Sequence, residues 1–132
     1  LRIQIGRIWG WKYDKEDYSF EKFYLGGSSS MRGWPILKFN KNSNNEPIGR
    51  TFRFMTNLEL RQKLYKSFGM TIFADGGLLS DALPKSLNGR LKWNLGTGIT
   101  FDTPLGPARI DYAIQIENLT KSEIQLGVQS LF

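Results

Sequence analysis

Cysteine and histidine are both absent from the 132-residue sequence. Without cysteine the chain cannot form a disulfide framework or a thiolate metal site. Without histidine it lacks the commonest metal ligand and the commonest general base, and it contains no Gly-x-Ser-x-Gly nucleophile motif. We therefore expect no enzymatic activity, no cofactor and no metal ion.

Long apolar runs are lacking as well. No segment approaches the roughly 20 apolar residues of a membrane-spanning helix, and the mean hydropathy is slightly negative. The length suits a single domain over residues 1–132. Because the chain begins with Leu1 and shows no signal peptide, we expect it to be a fragment of a longer protein.

What the sequence does contain is a repeated alternation of apolar and polar residues. In the last ten residues one face carries Ile124, Leu126, Val128 and Phe132, interrupted by Ser130. A period of two predicts a strand with one apolar and one polar surface. Five further segments alternate in the same way, and none shows a helical period. The predicted strands are about residues 1–10, 50–62, 68–78, 90–102, 107–116 and 123–132.

Such strands suit either a soluble sheet with one wet face or a transmembrane β-barrel with an apolar outside and a polar lumen. The links between them alternate in length, because residues 63–67 and 103–106 are tight whereas the others are longer. Outer-membrane barrels have short turns on one side and longer loops on the other. We therefore predict an all-β fold of six antiparallel strands from a transmembrane barrel, with a long extracellular loop over residues 11–49.

Aromatic residues are sorted in a way that supports the membrane interpretation. The tight-turn end of the predicted sheet contains Tyr65, Phe68, Phe101 and Phe132, and the opposite end contains Trp9, Trp11, Tyr13 and Trp93. Amphipathic rings concentrate at the two interfaces of a membrane. A soluble β-sandwich contacts no membrane interfaces, so nothing in its environment would concentrate aromatic residues at the two ends of its strands.

The net charge of +6 raises the alternative of a nucleic-acid-binding protein. Such a surface would mix aromatic and basic residues on one face. Here the basic residues lie on the polar face of different strands and the aromatics on the opposite face. We therefore expect no nucleic-acid partner.

The long loop contains Gly26-Gly27-Ser28-Ser29-Ser30-Met31-Arg32-Gly33-Trp34. Taken alone, the glycine and serine residues resemble a flexible linker. The whole segment resembles the Gly-Gly-Ser-x-Ser-Val-Arg-Gly-Phe/Tyr loop motif of the BamA/TamA superfamily of outer-membrane protein assembly factors. Met31 and Trp34 depart from that motif but keep an apolar residue before Arg32 and an aromatic residue after Gly33.

The resemblance continues in order along the rest of the chain. Leu-Glu at 58–59, Phe-Ala-Asp-Gly-Gly at 73–77 and Pro-Leu-Gly-Pro at 104–107 are similar to successive strands and a hairpin of the family. The end of the chain resembles the family's closing-strand signal through Gln125, Gly127 and Phe132, although Ser130 replaces an aromatic residue. The chain is thus similar to the last six strands and the sixth extracellular loop of a sixteen-stranded barrel.

The resemblance implies that the loop folds back into the barrel lumen and that Arg32 pairs there with acidic side chains. The alternation independently places Glu59 and Asp75 on the inward face, and arginine can bind two carboxylates at once. In this interpretation Gly33 allows a tight turn and Trp34 packs as an apolar wedge. The alternative is that Arg32 is a solvated loop charge and that both acidic residues simply line the lumen.

The resemblance further implies an assembly factor of the bacterial outer membrane that inserts and folds other outer-membrane proteins. Its expected partners are unfolded outer-membrane proteins, membrane lipid, and the remaining strands and periplasmic repeats of the same chain. Two alternatives within the superfamily remain, a secretion pore that passes a polypeptide through the lumen and a barrel that anchors a patatin-like hydrolase. The sequence outside these 132 residues would decide among them.

Overall fold

The computed structural model describes residues 1–8, 22–81 and 91–128, and within these ranges all regular structure is β. Six strands form one antiparallel sheet in which each strand pairs with its neighbours in the chain. The strands are β1 (Arg2–Arg7), β2 (Phe52–Tyr65), β3 (Phe68–Ser80), β4 (Lys92–Thr103), β5 (Gly106–Gln115) and β6 (Ser122–Gly127). The predicted all-β fold of six antiparallel strands is therefore confirmed, and β1 and β6 are the two edges of the sheet as described.

The two faces of the sheet differ as the alternation predicts. One face exposes large apolar side chains along every strand, for example Leu60 at 72% and Leu126 at 71%. The other face buries polar side chains, among them Asn57, Asp75 and Asn94 at 0% exposure. A water-soluble sheet buries its apolar face and exposes its polar face. This sheet does the reverse, since its apolar face is exposed and its polar face is buried. No helix in the described ranges is both long enough and apolar enough to cross a membrane.

The two tight turns are shorter than predicted. β2 continues beyond the predicted end at residue 62 to Tyr65, and Lys66 with Ser67 alone connects it to β3. The pairing between these strands shifts register between Lys63 and Tyr65, as at a β-bulge, where two residues of one strand lie opposite one residue of its partner. Residues 104–105 likewise connect β4 to β5.

Residues 22–50 fold back over the polar face of the sheet. Their two ends meet through a bridge between Phe23 and Arg50. A small apolar cluster lies between this segment and the sheet, formed by Leu25, Met31, Trp34, Phe39, Met55 and Leu79. The polar stretch 40–46 is closed by hydrogen bonds from Asn42 N to Glu46 O and from Ile48 N to Asn40 O.

Candidate functional site: the docked loop

The loop reaches the sheet because two glycines turn its backbone. Gly26 and Gly27 have φ angles of 118° and 97°, values that residues with a Cβ rarely adopt. The Gly27 N–H donates to the carbonyl of Trp34 at 2.9 Å, and the Ser30 hydroxyl accepts from the Gly26 N–H at 2.9 Å. These bonds close the segment into a compact turn, and residues 30–34, here called the loop tip, lie against the inward face of the sheet.

Arg32 lies at the centre of the loop tip and pairs with Asp75 of β3. Its Nε and Nη2 atoms donate to the two carboxylate oxygens at 2.9 and 2.6 Å, and its backbone N–H donates to Oδ2 at 3.2 Å. Both side chains are fully buried. The guanidinium also lies 3.3 Å from the ring centroid of Phe73, which explains an aromatic residue on a polar face. Two side-chain hydrogen bonds and one aromatic contact thus fix the orientation of the guanidinium plane, and the third hydrogen bond fixes the backbone of Arg32.

Glu59 of β2 joins Arg32 to a second charged pair. Its Oε2 accepts from Arg32 Nη1 at 2.7 Å and lies 3.5 Å from Arg109 Nη1, while its Oε1 accepts from Arg61 Nε. On β5, Arg109 Nε donates to Asp111 Oδ2 at 2.6 Å, and this oxygen lies 3.7 Å from Arg32 Nη1. We name this group the Arg32 cluster; it consists of Arg32, Arg61, Arg109, Glu59, Asp75 and Asp111.

The charges of the Arg32 cluster balance, since it contains three arginines and three carboxylates. Burial pulls the pKa of Arg32 down, but the hydrogen bonds and charges of Asp75, and then of Glu59, outweigh this effect and raise that pKa above its ordinary value. Arg32 therefore stays protonated at any physiological pH. A fully buried charge is tolerated when its donors are satisfied and its charge is matched, and this environment provides both.

Side-chain amides from four strands contact the backbone of the loop tip. Asn57 Nδ2 of β2 donates to Ser30 O at 2.8 Å, Gln115 Nε2 of β5 to Gly33 O at 2.7 Å, and Gln125 Nε2 of β6 to Trp34 O at 3.2 Å. Asn94 of β4, with its amide oriented to satisfy both neighbours, accepts from Gly33 N at 2.9 Å and donates to Asp75 Oδ2 at 3.1 Å. The loop tip is thus bound both through one arginine side chain and through its main chain.

Comparison with known protein families identifies the superfamily to which the chain belongs. Residues 2–130 match the Omp85 superfamily domain, which is nearly the whole chain. The chain belongs to the Omp85 superfamily. Members of this superfamily are outer-membrane β-barrel proteins that insert or translocate proteins, and the superfamily is one of assembly and translocation rather than catalysis.

In this Omp85 domain the structure places Arg32 of the loop motif against the two acidic residues that the sequence analysis names as its partners. Arg32 contacts both Glu59 and Asp75, and a solvated Arg32, the alternative considered above, is inconsistent with its 0% exposure. Trp34 is buried and packs on Phe39 with ring centroids 4.9 Å apart. Met31 is fully buried in the same apolar cluster. One side of the loop tip is therefore apolar and the other carries the charge.

Gly33 lies within the tight turn from Met31 to Trp34, which Trp34 N closes by donating to Met31 O at 3.1 Å, and a second constraint also acts on it. The residues with positive φ in this part of the Omp85 loop include Gly26 and Gly27 but not Gly33. A Cβ on Gly33 would lie 2.6 Å from the Cβ of Asn94 and 3.1 Å from its Cγ. Glycine is required here because the loop backbone approaches β4 closely, not because the turn needs unusual dihedral angles.

Of the predicted closing-strand signal, the structure describes Gln125 and Gly127. Gln125 lies inward on β6, is 8% exposed and contacts the loop tip. Gly127 is the last residue of β6 and pairs with Arg109 of β5. Phe132 and Ser130 lie outside the described residues, as do Trp9, Trp11 and Tyr13 of the predicted aromatic sorting. Phe68 and Phe101 do lie together at the tight-turn end, with ring centroids 6.1 Å apart.

Sequence reasoning missed the partners of the loop backbone. The sequence pattern assigns no role to Asn57, Asn94 or Gln115, or to the Arg109–Asp111 pair. The alternation could have indicated these partners, because it places the amides on the inward face, and amides that a loop covers must form hydrogen bonds. The described residues contain no group of three or more metal-ligating side chains arranged to hold an ion. The site can bind and orient a chain segment through its charges and amides.

Proposed function

We propose that this Omp85 chain forms part of an assembly factor of the bacterial outer membrane that inserts and folds other outer-membrane proteins. The family supports insertion or translocation in general. The exposed apolar face suits contact with lipid, since side chains such as Leu60 and Leu126 are left uncovered on one face only. In this proposal the opposite face lines the lumen and residues 22–50 belong to a loop that enters from the extracellular side.

The position of the loop tip is the observation that favours assembly over a secretion pore. Contacts from β2 through β6 hold residues 30–34 on the inward face, and Arg32 in their midst has no exposed surface. A polypeptide that crossed the lumen along this face would have to displace the loop, which would remove the ion pair between Arg32 and the buried carboxylate of Asp75 and one of the ion pairs of Glu59. Strand addition at the edge of the sheet requires no such displacement.

The edge of β6 supplies the chemistry that an incoming strand needs. Backbone N–H and C=O groups must be paired before a segment enters lipid, because the hydrocarbon offers no water to hydrogen-bond them. An edge strand presents a row of such groups and can template another strand. The substrates are thus unfolded outer-membrane proteins, and the expected assembly includes lipid and the further strands and periplasmic repeats of the same protein.

Reconstitution of the full-length protein into liposomes tests this proposal. One sample receives an unfolded outer-membrane β-barrel, and its folding is followed by the heat-sensitive shift in gel mobility. A second sample receives a soluble secreted polypeptide, and its protection from external protease inside the vesicles is measured. We expect faster barrel folding than in empty liposomes and no transport. Transport without faster folding would show a secretion pore instead.

A pair of arginine variants adds a control to the same assay. Arg32→Ala should slow barrel folding, because it frees the loop tip to occupy other positions. Arg50→Ala removes an exposed pair with Asp81, whose side chains are 38% and 53% exposed, and should leave folding unchanged since such pairs contribute little. If barrel folding were equally fast with Arg32→Ala and Arg50→Ala, the docked loop would not contribute to the assembly function.

A further inference from the structure

The main-chain carbonyl of Trp34 connects the loop tip to the edge strand. It accepts from the Gly27 N–H at 2.9 Å and from Gln125 Nε2 of β6 at 3.2 Å. The Gln125 side chain is nearly buried, with 8% of its surface exposed. The neighbouring carbonyl of Gly33 accepts from Gln115 Nε2 of β5 at 2.7 Å. Adjacent carbonyls of the loop therefore bind adjacent strands.

β6 has few other attachments among the described residues. It is six residues long, lies at the edge of the sheet and pairs only with β5, through six residue pairs from Arg109–Gly127 to Ile114–Ser122. Its outward side chains Ile124 and Leu126 are exposed, at 67% and 71%. An edge strand with one neighbour opens more readily than a central strand. A hydrogen bond from its buried inward side chain to another segment is therefore a substantial part of what holds it.

The acceptor of that hydrogen bond is itself fixed by the Arg32 cluster. Trp34 lies two residues after Arg32 in a closed turn, in which Trp34 N donates to Met31 O at 3.1 Å. If Arg32 loses Asp75 and Glu59, the Trp34 carbonyl loses its position opposite Gln125. If β6 moves away from β5, the same carbonyl loses its donor.

We propose that Gln125 is a positioning residue that couples the closing edge strand to the docked loop, so that β6 loosens when the loop undocks and the loop loosens when β6 moves. Coupling of this kind is reciprocal by thermodynamic necessity. The bond goes to a main-chain carbonyl, so it depends on the position of the loop and not on the identity of residue 34. The inference does not require the assembly function and applies equally to a secretion pore, so the two can fail independently.

Hydrogen–deuterium exchange of the full-length protein in lipid nanodiscs tests the coupling. Gln125→Met keeps the length of the side chain and removes its donor. We expect the β6 amides to exchange about two- to tenfold faster, the factor that corresponds to one hydrogen bond, and residues 26–34 to be cleaved faster by protease. Gln62→Met is the matched control, because Gln62 is exposed and its side chain donates to the adjacent Lys63 carbonyl rather than to the loop.

The decisive comparison is a double-mutant cycle with Arg32→Ala. If the loop and β6 are coupled, Arg32→Ala alone accelerates exchange in β6, and adding Gln125→Met accelerates it little further. Fully additive effects, or β6 exchange that Arg32→Ala leaves unchanged, would overturn the proposal. Amides of the central strand β4 serve as the reference, since equal acceleration there would mean general destabilisation and would equally contradict a specific link.

A variant that restores the donor distinguishes positioning from packing. Gln125→Lys removes the amide but supplies an ammonium group on a longer stem, which can donate to the same carbonyl. We expect β6 exchange and loop protection to return part of the way toward wild type. If Gln125→Lys behaves like Gln125→Met or worse in both measurements, the hydrogen bond does not carry the coupling.

Discussion

Arg32 shows how one side chain can determine the position of a whole loop. It is fully buried, it donates to two carboxylates on different strands, and its main-chain N–H donates to one of them. The pKa of Arg32 is higher in the folded protein than its ordinary value. The stability that this charge contributes is therefore fully present below the ordinary pKa of arginine, and it is lost only as the pH rises through the folded-state pKa. Loop docking should therefore not depend on Arg32 titration near neutral pH.

Arg32→Ala is expected to release the loop. Removing one member of a buried ion pair costs roughly 3–5 kcal/mol, and because Arg32 and Asp75 are both fully buried, we expect a loss of stability of this order. Limited proteolysis of the full-length protein should show faster cleavage within residues 26–34. Arg32→Lys should be intermediate, because the charge remains but the two-pronged geometry does not.

Charge reversal on the strands provides the reciprocal test. Glu59→Lys and Asp75→Lys should each expose the same segment, and Arg32→Glu combined with Asp75→Arg should recover part of the protection. Unchanged cleavage in all the single variants would contradict a role for this cluster in docking.

Gly33→Ala is expected to undock the loop tip by overpacking. The added methyl group would lie 2.6 Å from the Cβ of Asn94, and overpacking in a closed site typically costs about 1–3 kcal/mol. Ser29→Ala, at an exposed position in the same loop, is the matched control. The measurement is again protease protection of residues 26–34, and equal protection of both variants would show that the loop tip adapts to the extra volume.

At the scale of strands and loops, the sequence predicted what depends on local pattern and missed what depends on distant contacts. Alternation identified all six strands, since the period of two needs no information beyond the strand itself. The end of β2 was missed because a register shift lies there. The amide partners of the loop tip were missed because Gly33–Gln115 and Trp34–Gln125 are 82 and 91 positions apart. Arg32, Glu59 and Asp75 were found together only because a resemblance supplied the loop's direction.

The apolar face of β4 gives a test of the membrane interpretation. Leu95 lies outward near the middle of this strand and is 53% exposed, whereas Leu105 lies in a tight turn and is 92% exposed. Arginine on the lipid face of a barrel costs about 2–4 kcal/mol near the midplane and little near the interface. Leu95→Arg should therefore reduce the amount of folded barrel recovered from membranes, while Leu105→Arg should not. Equal recovery would indicate that this face does not contact lipid.

For the molecule as a whole, the sheet has an apolar outside and two edges among the described residues. β1 and β6 each have one paired neighbour, and exposed edges promote association with other strands. We expect the 132-residue chain to self-associate in buffer without detergent and to disperse in detergent micelles, as measured by light scattering after size-exclusion chromatography. A detergent-free monodisperse monomer with a strong β-sheet circular dichroism signal would contradict the inverted arrangement of the faces.

The way in which the loop is attached also has a mechanical consequence. Within the described residues β6 is bonded to β5 along a single edge, so a force that pulls one end of β6 sideways would break these bonds one after another, as in peeling. The loop tip is bonded in several directions at once, by β2, β3, β4, β5 and β6, so its bonds share a pulling force and break together. The protein thus joins a strand that peels at low force to an anchor that resists until it ruptures.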